Sequence, residues 1–188
     1  MKFFLFTNLL ALSLLLPFSA SARSRVTAPI TEYHQVVSGV TRGARPSIEG
    51  LRFLANSGVK TILNLEDDAA AVAWEKTEAA KLGMKVISTP MSGFFRPKTK
   101  QVNQSLQVMA DSRYYPLYVH CQHGQDRTGV ISGLYRVIYQ HWQPADAYQE
   151  MLADHFHPIL FLLQKYFSDV TGYSPYPHSN DPNAGGGA

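Results

Sequence analysis

The sequence predicts a single α/β domain, a central, mostly parallel sheet with helices on both faces. Three observations predict it. Short apolar or β-branched runs alternate with longer stretches of helical period along most of the chain. The 188 residues suffice for one domain of ordinary size and not comfortably for two. Finally, a strand-like run, Leu117-Tyr118-Val119, passes through a glycine-containing loop into the apolar run Val130–Ile138. A junction of that kind sits where parallel sheets bind ligands, at the carboxyl end of a strand.

Residues 1–22 are expected to lie outside this domain. Lys2 gives a positive start, Phe3–Leu16 an apolar run, and Ala20-Ser21-Ala22 a small-residue close. This is the pattern of a secretory signal peptide cleaved before Arg23, so the mature chain is expected to be exported, periplasmic or secreted. The run is short for a membrane span, no cysteine follows it for lipidation, and no later stretch is long and apolar enough to form a stable span. Cleavage removes one lysine and no acid, taking the formal charge from +3 to +2. So mild a charge is compatible with an anionic substrate and offers no long basic tract for nucleic acid.

Residues 23–34 read as a loose leader, and 35–171 as the domain. Gln35–Val40 alternates enough for an edge strand, and Thr41–Pro46 reads as a turn. Ser47 is a good N-cap for a helix carrying Ile48, Leu51 and Leu54 on one face, which Gly58 stops. Val59–Leu65 is a strand ending in the acidic turn Glu66-Asp67-Asp68. Ala69–Leu82 is an alanine-rich helix closed by Gly83, and Met84–Ile87 a third strand. Ser88–Pro97 holds Pro90, Gly93 and Pro97 and reads as a loop. Lys98–Asp111 is helical by Val102, Leu106 and Met109, strand 117–119 follows, and helices over about 128–141, 144–153 and 158–170 complete the domain. Residues 172–188, with several prolines and a terminal Gly-Gly-Gly-Ala, read as a flexible tail. There are no internal repeats, and nothing indicates an oligomeric state.

The chemistry concentrates in Val119–Gly129, VHCQHGQDRTG. A loop between a strand end and a helix start directs backbone N–H groups and the positive helix terminus at whatever it encloses. Arg127 adds a planar fork of donors that can grip two phosphate oxygens. Cys121 would face the phosphorus, its thiolate stabilised by the same groups. It is the only cysteine, so it has no partner within the chain, although cysteines of exported proteins usually pair.

His120, Cys121, Gly124, Arg127 and Thr128 match the signature HCxxGxxR[ST], and in these residues the chain resembles the cysteine-dependent protein tyrosine and dual-specificity phosphatases. The resemblance covers about residues 35–170. It implies a single-domain phosphatase-like fold, metal-free and cofactor-free chemistry, and hydrolysis of a phosphate monoester through a phosphocysteine on Cys121. By the same resemblance, Arg127 and the N–H groups of Gln122, His123, Gly124, Gln125, Asp126 and Arg127 bind the phosphate oxygens. Thr128 hydrogen-bonds the sulfur, and His120 supports the loop.

Many members of that superfamily take the leaving-group proton from an aspartate on a separate upstream loop. Here Pro90–Pro97 has no carboxylate. Asp126, beside Arg127, resembles the loop aspartate of myotubularins and of bacterial phosphatases with a CxxGxDRT pattern, and is the expected proton donor. If Asp126 only pairs with Arg127 or caps the helix, the acid is instead Asp111, an acid of the Glu66–Asp68 turn, or none. An acid at that position often accompanies inositol phosphate or phosphoinositide substrates, which therefore stand level with phosphotyrosine and other phosphoprotein substrates. Arg96, Lys98 and Lys100 are possible substrate contacts, because Lys98 and Lys100 oppose the dipole of the helix they open. Phe94 and Phe95 are expected to anchor their loop rather than line the pocket, and Arg42 and Arg45 are either substrate contacts or solvated. His155 and His157 lack a third ligand for a metal, so they are expected only to border the pocket. The competing reading is a catalytically weak pseudo-phosphatase that binds phosphorylated ligands without turnover.

Overall fold

The apolar runs 61–64 and 117–121 become the centre of a five-stranded sheet, each buried from end to end. The computed structural model describes residues 28–176. The strands are β1 (His34–Val37), β2 (Val40–Ala44), β3 (Thr61–Asn64), β4 (Lys85–Ser88) and β5 (Leu117–Cys121). Their order across the sheet is β1-β2-β5-β3-β4, with β1 antiparallel to β2 and every other pair parallel. The most interior strand is therefore the one that carries Cys121 at its carboxyl end.

Alternation along β3 and β5 separates two cores. Ile62 and Tyr118 face one side with Leu51 and Leu54 of α1 (Ile48–Asn56) and Ala79 of α2 (Ala69–Lys81). Leu63, Leu117, Val119 and Cys121 face the other. There they meet α3 (Thr99–Ala110), α4 (Asp126–Gln140), α5 (Pro144–Ala153) and α6 (Phe161–Thr171). Helices thus cover both faces, as the sequence predicts. Among the described residues no helix is long and apolar enough to cross a membrane.

Local chemistry sets the element ends. Ser47 Oγ accepts the Gly50 N–H at 3.2 Å, and one Asp68 carboxylate oxygen accepts the N–H groups of Ala70 and Ala71, each at 3.1 Å. These caps satisfy donors that the first turn leaves free. Arg127 to Arg136 of α4 are all buried, which fits the apolar run read there.

Two expectations are corrected. Thr41–Ala44 is not a turn but part of β2, and the reversal lies one step earlier, at Gly39 with φ +81°. The strand was disguised because its middle residue is a buried arginine, Arg42, followed by Gly43, which breaks any apolar alternation. Within the supposed loose leader, residues 28–34 hold their place. Ile30 is buried, Thr31 O accepts the Ala44 N–H at 2.9 Å, and His34 begins β1. The expected signal peptide and residues 177–188 of the expected tail lie outside the described residues, while Tyr173, near the start of that tail, packs against the core.

Candidate active site

β5 ends at Cys121 and α4 begins at Asp126, so residues 122–125 must reverse the chain in four steps. Gly124 makes this possible with φ +77°, a value that costs other L-residues about 1–2 kcal/mol. It is also required by space, because a Cβ there would lie 2.4 Å from the Gly43 carbonyl carbon and 2.6 Å from Ala44 N. The loop therefore rests directly on the backbone of β2. The Arg45 N–H donates to Gln122 O at 3.2 Å and fastens the same two segments.

A cavity of about 350 Å³ opens over this loop, lined by Asp67, Gly93, Phe94, Cys121, Gln122, His123, Asp126, Arg127, His157, Ile159 and Leu160. Cys121 is almost wholly buried at its floor, and Arg127 is also buried. Arg127 Nη1 donates to Asp67 Oδ1 at 2.9 Å and to the Met91 carbonyl at 3.1 Å. A larger, more open groove between β4 and α3 carries none of these groups.

The cavity gathers Cys121, Gln122, His123, Asp126 and Arg127 as the loop motif requires. Gly124 and Gln125 lie beneath and beside it, with Gln125 Nε2 donating to Glu32 Oε1 at 3.1 Å. Asp126 Oδ1 accepts the His157 N–H at 2.9 Å and lies 3.0 Å from His157 Nδ1. The segment 154–157 thus borders the cavity as expected, and its histidines are paired with carboxylates. His155 Nδ1 lies 2.9 Å from Glu32 Oε1, and both residues hold positive φ, +61° and +57°. Two non-glycine residues in left-handed conformation, in contact with each other beside the loop, mark a segment held against its local preference. Burial pushes the Glu32 carboxyl up, but hydrogen bonds from Gln125 and His155 outweigh it and hold the group below the usual carboxylate range.

Behind Cys121, His120 is fully buried. Its Nδ1 lies 3.2 Å from Cys121 O, and its Nε2 lies 2.9 Å from Glu75 Oε1. Glu75 is fixed in turn by Asn64 Nδ2 at 2.8 Å. His120 also stacks on Tyr118, whose hydroxyl donates to Ala44 O at 2.5 Å and is pushed well above its ordinary pKa by burial. A supporting rather than a proton-transferring position is what this geometry describes. Thr128 is buried, and among the described residues its hydroxyl has no hydrogen-bond partner, the sulfur of Cys121 included.

The remaining candidates separate clearly. Of the acidic turn, Glu66 is buried against Arg45 and Asp68 caps α2, while Asp67 alone reaches the cavity. Asp111 is bound to Arg113, which holds its carboxyl below the ordinary value, and lines the distant groove. Arg96 donates to Asp169 at 2.7 Å and lies over the Tyr166 ring, so it turns away from the cavity; Lys98 and Lys100 are exposed and do not line it. Phe94 and Phe95 do not anchor their loop: they are 77% and 71% exposed, and Phe94 forms part of the cavity wall.

A cysteine at a strand end, a glycine-turned loop and an arginine in the first turn of the following helix place the chain in the superfamily of dual-specificity and tyrosine phosphatases. Residues 21–161 match the family described as PTP-NADK, "DSP-PTPase phosphatase fused to NAD+ Kinase", and the chain belongs to it. Among individual proteins, it is 26% identical over 131 residues to the dual specificity protein phosphatase TpbA of Pseudomonas aeruginosa, covering 69% of this chain and 57% of that one. It is 27% identical over 123 residues to the inositol diphosphatase DSP5 of Arabidopsis thaliana, covering 62% and 58%. The chain therefore spans less than two thirds of the length of these curated relatives. The fold is also similar to the catalytic core of the PP-IP phosphatase SIW14 of Saccharomyces cerevisiae, with TM-score 0.68 and 23% identity over 74% of this chain and 85% of that one.

Proposed function

We propose that this chain hydrolyses phosphate monoesters through a phosphocysteine on Cys121, with aryl phosphates, phosphotyrosine in proteins above all, as its substrates. The observation that carries the substrate choice is the make-up of the cavity wall. Arg127 is the only lysine or arginine among the described residues that line it; two carboxylates, Asp67 and Asp126, face the same space. Phe94, Ile159 and Leu160 supply an apolar side, with Phe94 and Ile159 largely exposed. An aromatic ring can stack there, where an edge or offset contact contributes about 0.5–1.5 kcal/mol. A densely charged inositol would instead meet two like charges and one cation.

In the first step the Cys121 thiolate attacks phosphorus, the S–P bond forms and the P–O bond to the leaving group breaks. Arg127 and the N–H groups of residues 122–127 hold the three equatorial oxygens, where charge is spread in the transition state. Asp126 gives its proton to the leaving oxygen, and His157, half exposed and in contact with Oδ1, exchanges protons with solvent. In the second step water attacks phosphorus, Asp126 takes its proton, and the thiolate leaves. The unpartnered Thr128 hydroxyl is free to donate to the departing sulfur. His120 and the Glu75-Asn64 pair behind it keep the strand end in place.

The names of DSP5 and SIW14 favour a second reading, hydrolysis of inositol diphosphates. The test compares kcat/KM for a phosphotyrosyl peptide and an inositol pyrophosphate, with Cys121→Ser as control. A peptide preference of about tenfold or more, lost in the control, is expected; faster inositol pyrophosphate cleavage would replace the proposal with the second reading. No release from either would favour a phosphate-binding module without turnover.

A further inference from the structure

Arg42 lies on β2 directly beneath the phosphate loop and is 1% exposed. The register of the sheet pairs Arg42 with Val119, Gly43 with His120 and Ala44 with Cys121, so this stretch of β2 runs beside the last three residues before the loop. The guanidinium is used as a fork. Nη2 donates to the Gly124 carbonyl at 2.7 Å, and Nη1 donates to Asp154 Oδ2 at 2.6 Å. Its Nε is buried without a partner.

Two features indicate more than packing. An anion-binding loop works by converging N–H groups while its carbonyls turn away, and the carbonyl gripped by Arg42 belongs to Gly124, the residue whose positive φ makes the turn. Burying a charge costs several kcal/mol unless it is well paired, whereas an apolar residue of similar volume would fill the space without that penalty. The pairing here is modest. Asp154 is the one carboxylate in contact, and it is shared with His34 Nε2 at 3.2 Å. The other charged or titratable groups acting on Arg42 are Cys121, Glu150 and Glu32, the last bound to His155. Burial pulls the guanidinium below its ordinary value, while Asp154 first and Cys121 next pull it back.

We propose that Arg42 is a positioning residue of this active site, which holds the Gly124 carbonyl below the loop so that the loop keeps the shape that binds a phosphoryl group. The proposal rests on the reading that the loop binds a phosphoryl group. Arg42 acts from below, through the loop backbone, without touching substrate.

Because Cys121 is the only cysteine, iodoacetamide reports on it alone. The experiment measures the alkylation rate at a fixed pH and its suppression by inorganic phosphate, with the urea unfolding midpoint alongside, in the wild-type chain, Arg42→Met and Arg42→Lys. In Arg42→Met phosphate protection should weaken about tenfold as the loop loses its prop. Arg42→Lys keeps a donor for the Gly124 carbonyl and loses the fork, so its protection should lie between that of Arg42→Met and that of wild type. A folded Arg42→Met protected as well as wild type would overturn the proposal. If Arg42→Met does not fold, Arg42→Lys decides alone, with protection weakened about threefold or more in support and protection equal to wild type against. Neither readout uses turnover, so a wild-type chain that releases no phosphate would refute the proposed function and leave this test standing.

Discussion

Replacing Gly124 by alanine perturbs the site at the one point where backbone conformation and space both demand glycine. At φ +77° an alanine pays about 1–2 kcal/mol for the left-handed region. Its Cβ would lie 2.4 Å from the Gly43 carbonyl carbon, 2.6 Å from Ala44 N and 2.6 Å from Gly43 O. These are backbone atoms of a strand fixed between β1 and β5, so no side-chain rotation relieves the contact. Loop or strand must shift by about 1 Å to reach ordinary contact, and overpacking of this kind costs about 1–3 kcal/mol. The sum, about 2–5 kcal/mol, is a large part of the roughly 5–15 kcal/mol that stabilises a domain. The same shift displaces residues 122–127, and if these bind the phosphate as proposed, a misplacement of about 1 Å can lower a rate about 100-fold. Urea unfolding followed by circular dichroism measures the first quantity, and release of nitrophenol from p-nitrophenyl phosphate the second. A variant within about 0.5 kcal/mol of wild type in stability and within about twofold in rate would refute the claim that the loop sits tightly on β2.

Three further outcomes are expected. Asp67→Asn removes a carboxylate that pairs with Arg127; Arg127 is buried but Asp67 is half exposed, which holds the pair to about 0.5–1 kcal/mol, so inorganic phosphate should inhibit about two- to fivefold more tightly, and weaker inhibition would mean that Asp67 helps to bind the anion. Burial pushes the Asp154 carboxyl up, but the hydrogen bond from His34 and the charge of Arg42 outweigh it and hold the group below its ordinary value. A carboxyl depressed in the folded state stabilises above its unfolded pKa, near 3.9, and this contribution disappears as pH falls through the lower folded value. Asp154→Asn should therefore be less stable than wild type at pH 7 and approach it in acid below about pH 4; a deficit that stays constant into acid would contradict this. Expression of the full chain in a bacterium with mass spectrometry of the product should show Arg23 as the first residue, whereas an unprocessed chain would remove the signal-peptide expectation.

What the sequence could disclose depended on whether the chemistry was contiguous. Cys121, Gly124, Arg127 and their neighbours stand within one loop, so their types and spacing report the site directly. The order of strands and helices was legible for the same reason, since each buried run is local. β2 was not, because the residue at its centre is a buried cation that packs by pairing with Asp154 and Gly124 rather than by being apolar. Asp67 was only one of three acids in a turn, and nothing local separates it from Glu66, which is buried against Arg45, or Asp68, which caps a helix. The basic residues after Phe95 pointed to the wrong partner. The sequence shows three cations near one another, and only the fold shows Arg96 drawn off by Asp169 and Tyr166 from α6. The exposed Phe94 and Phe95 likewise look like loop anchors until the cavity is seen to end on Phe94.

The central claim is that Cys121 carries the phosphoryl group between two steps. Rapid-quench reaction of the wild-type chain with a ³²P-labelled aryl phosphate, followed by denaturation and peptide mapping, tests it most directly. The account predicts label on the peptide containing Cys121, absent from Cys121→Ser, and an increase in trapped label in Asp126→Asn with an aryl substrate, where the second step loses its base. Phosphate release without any labelled cysteine, or undiminished release by Cys121→Ser, would contradict it.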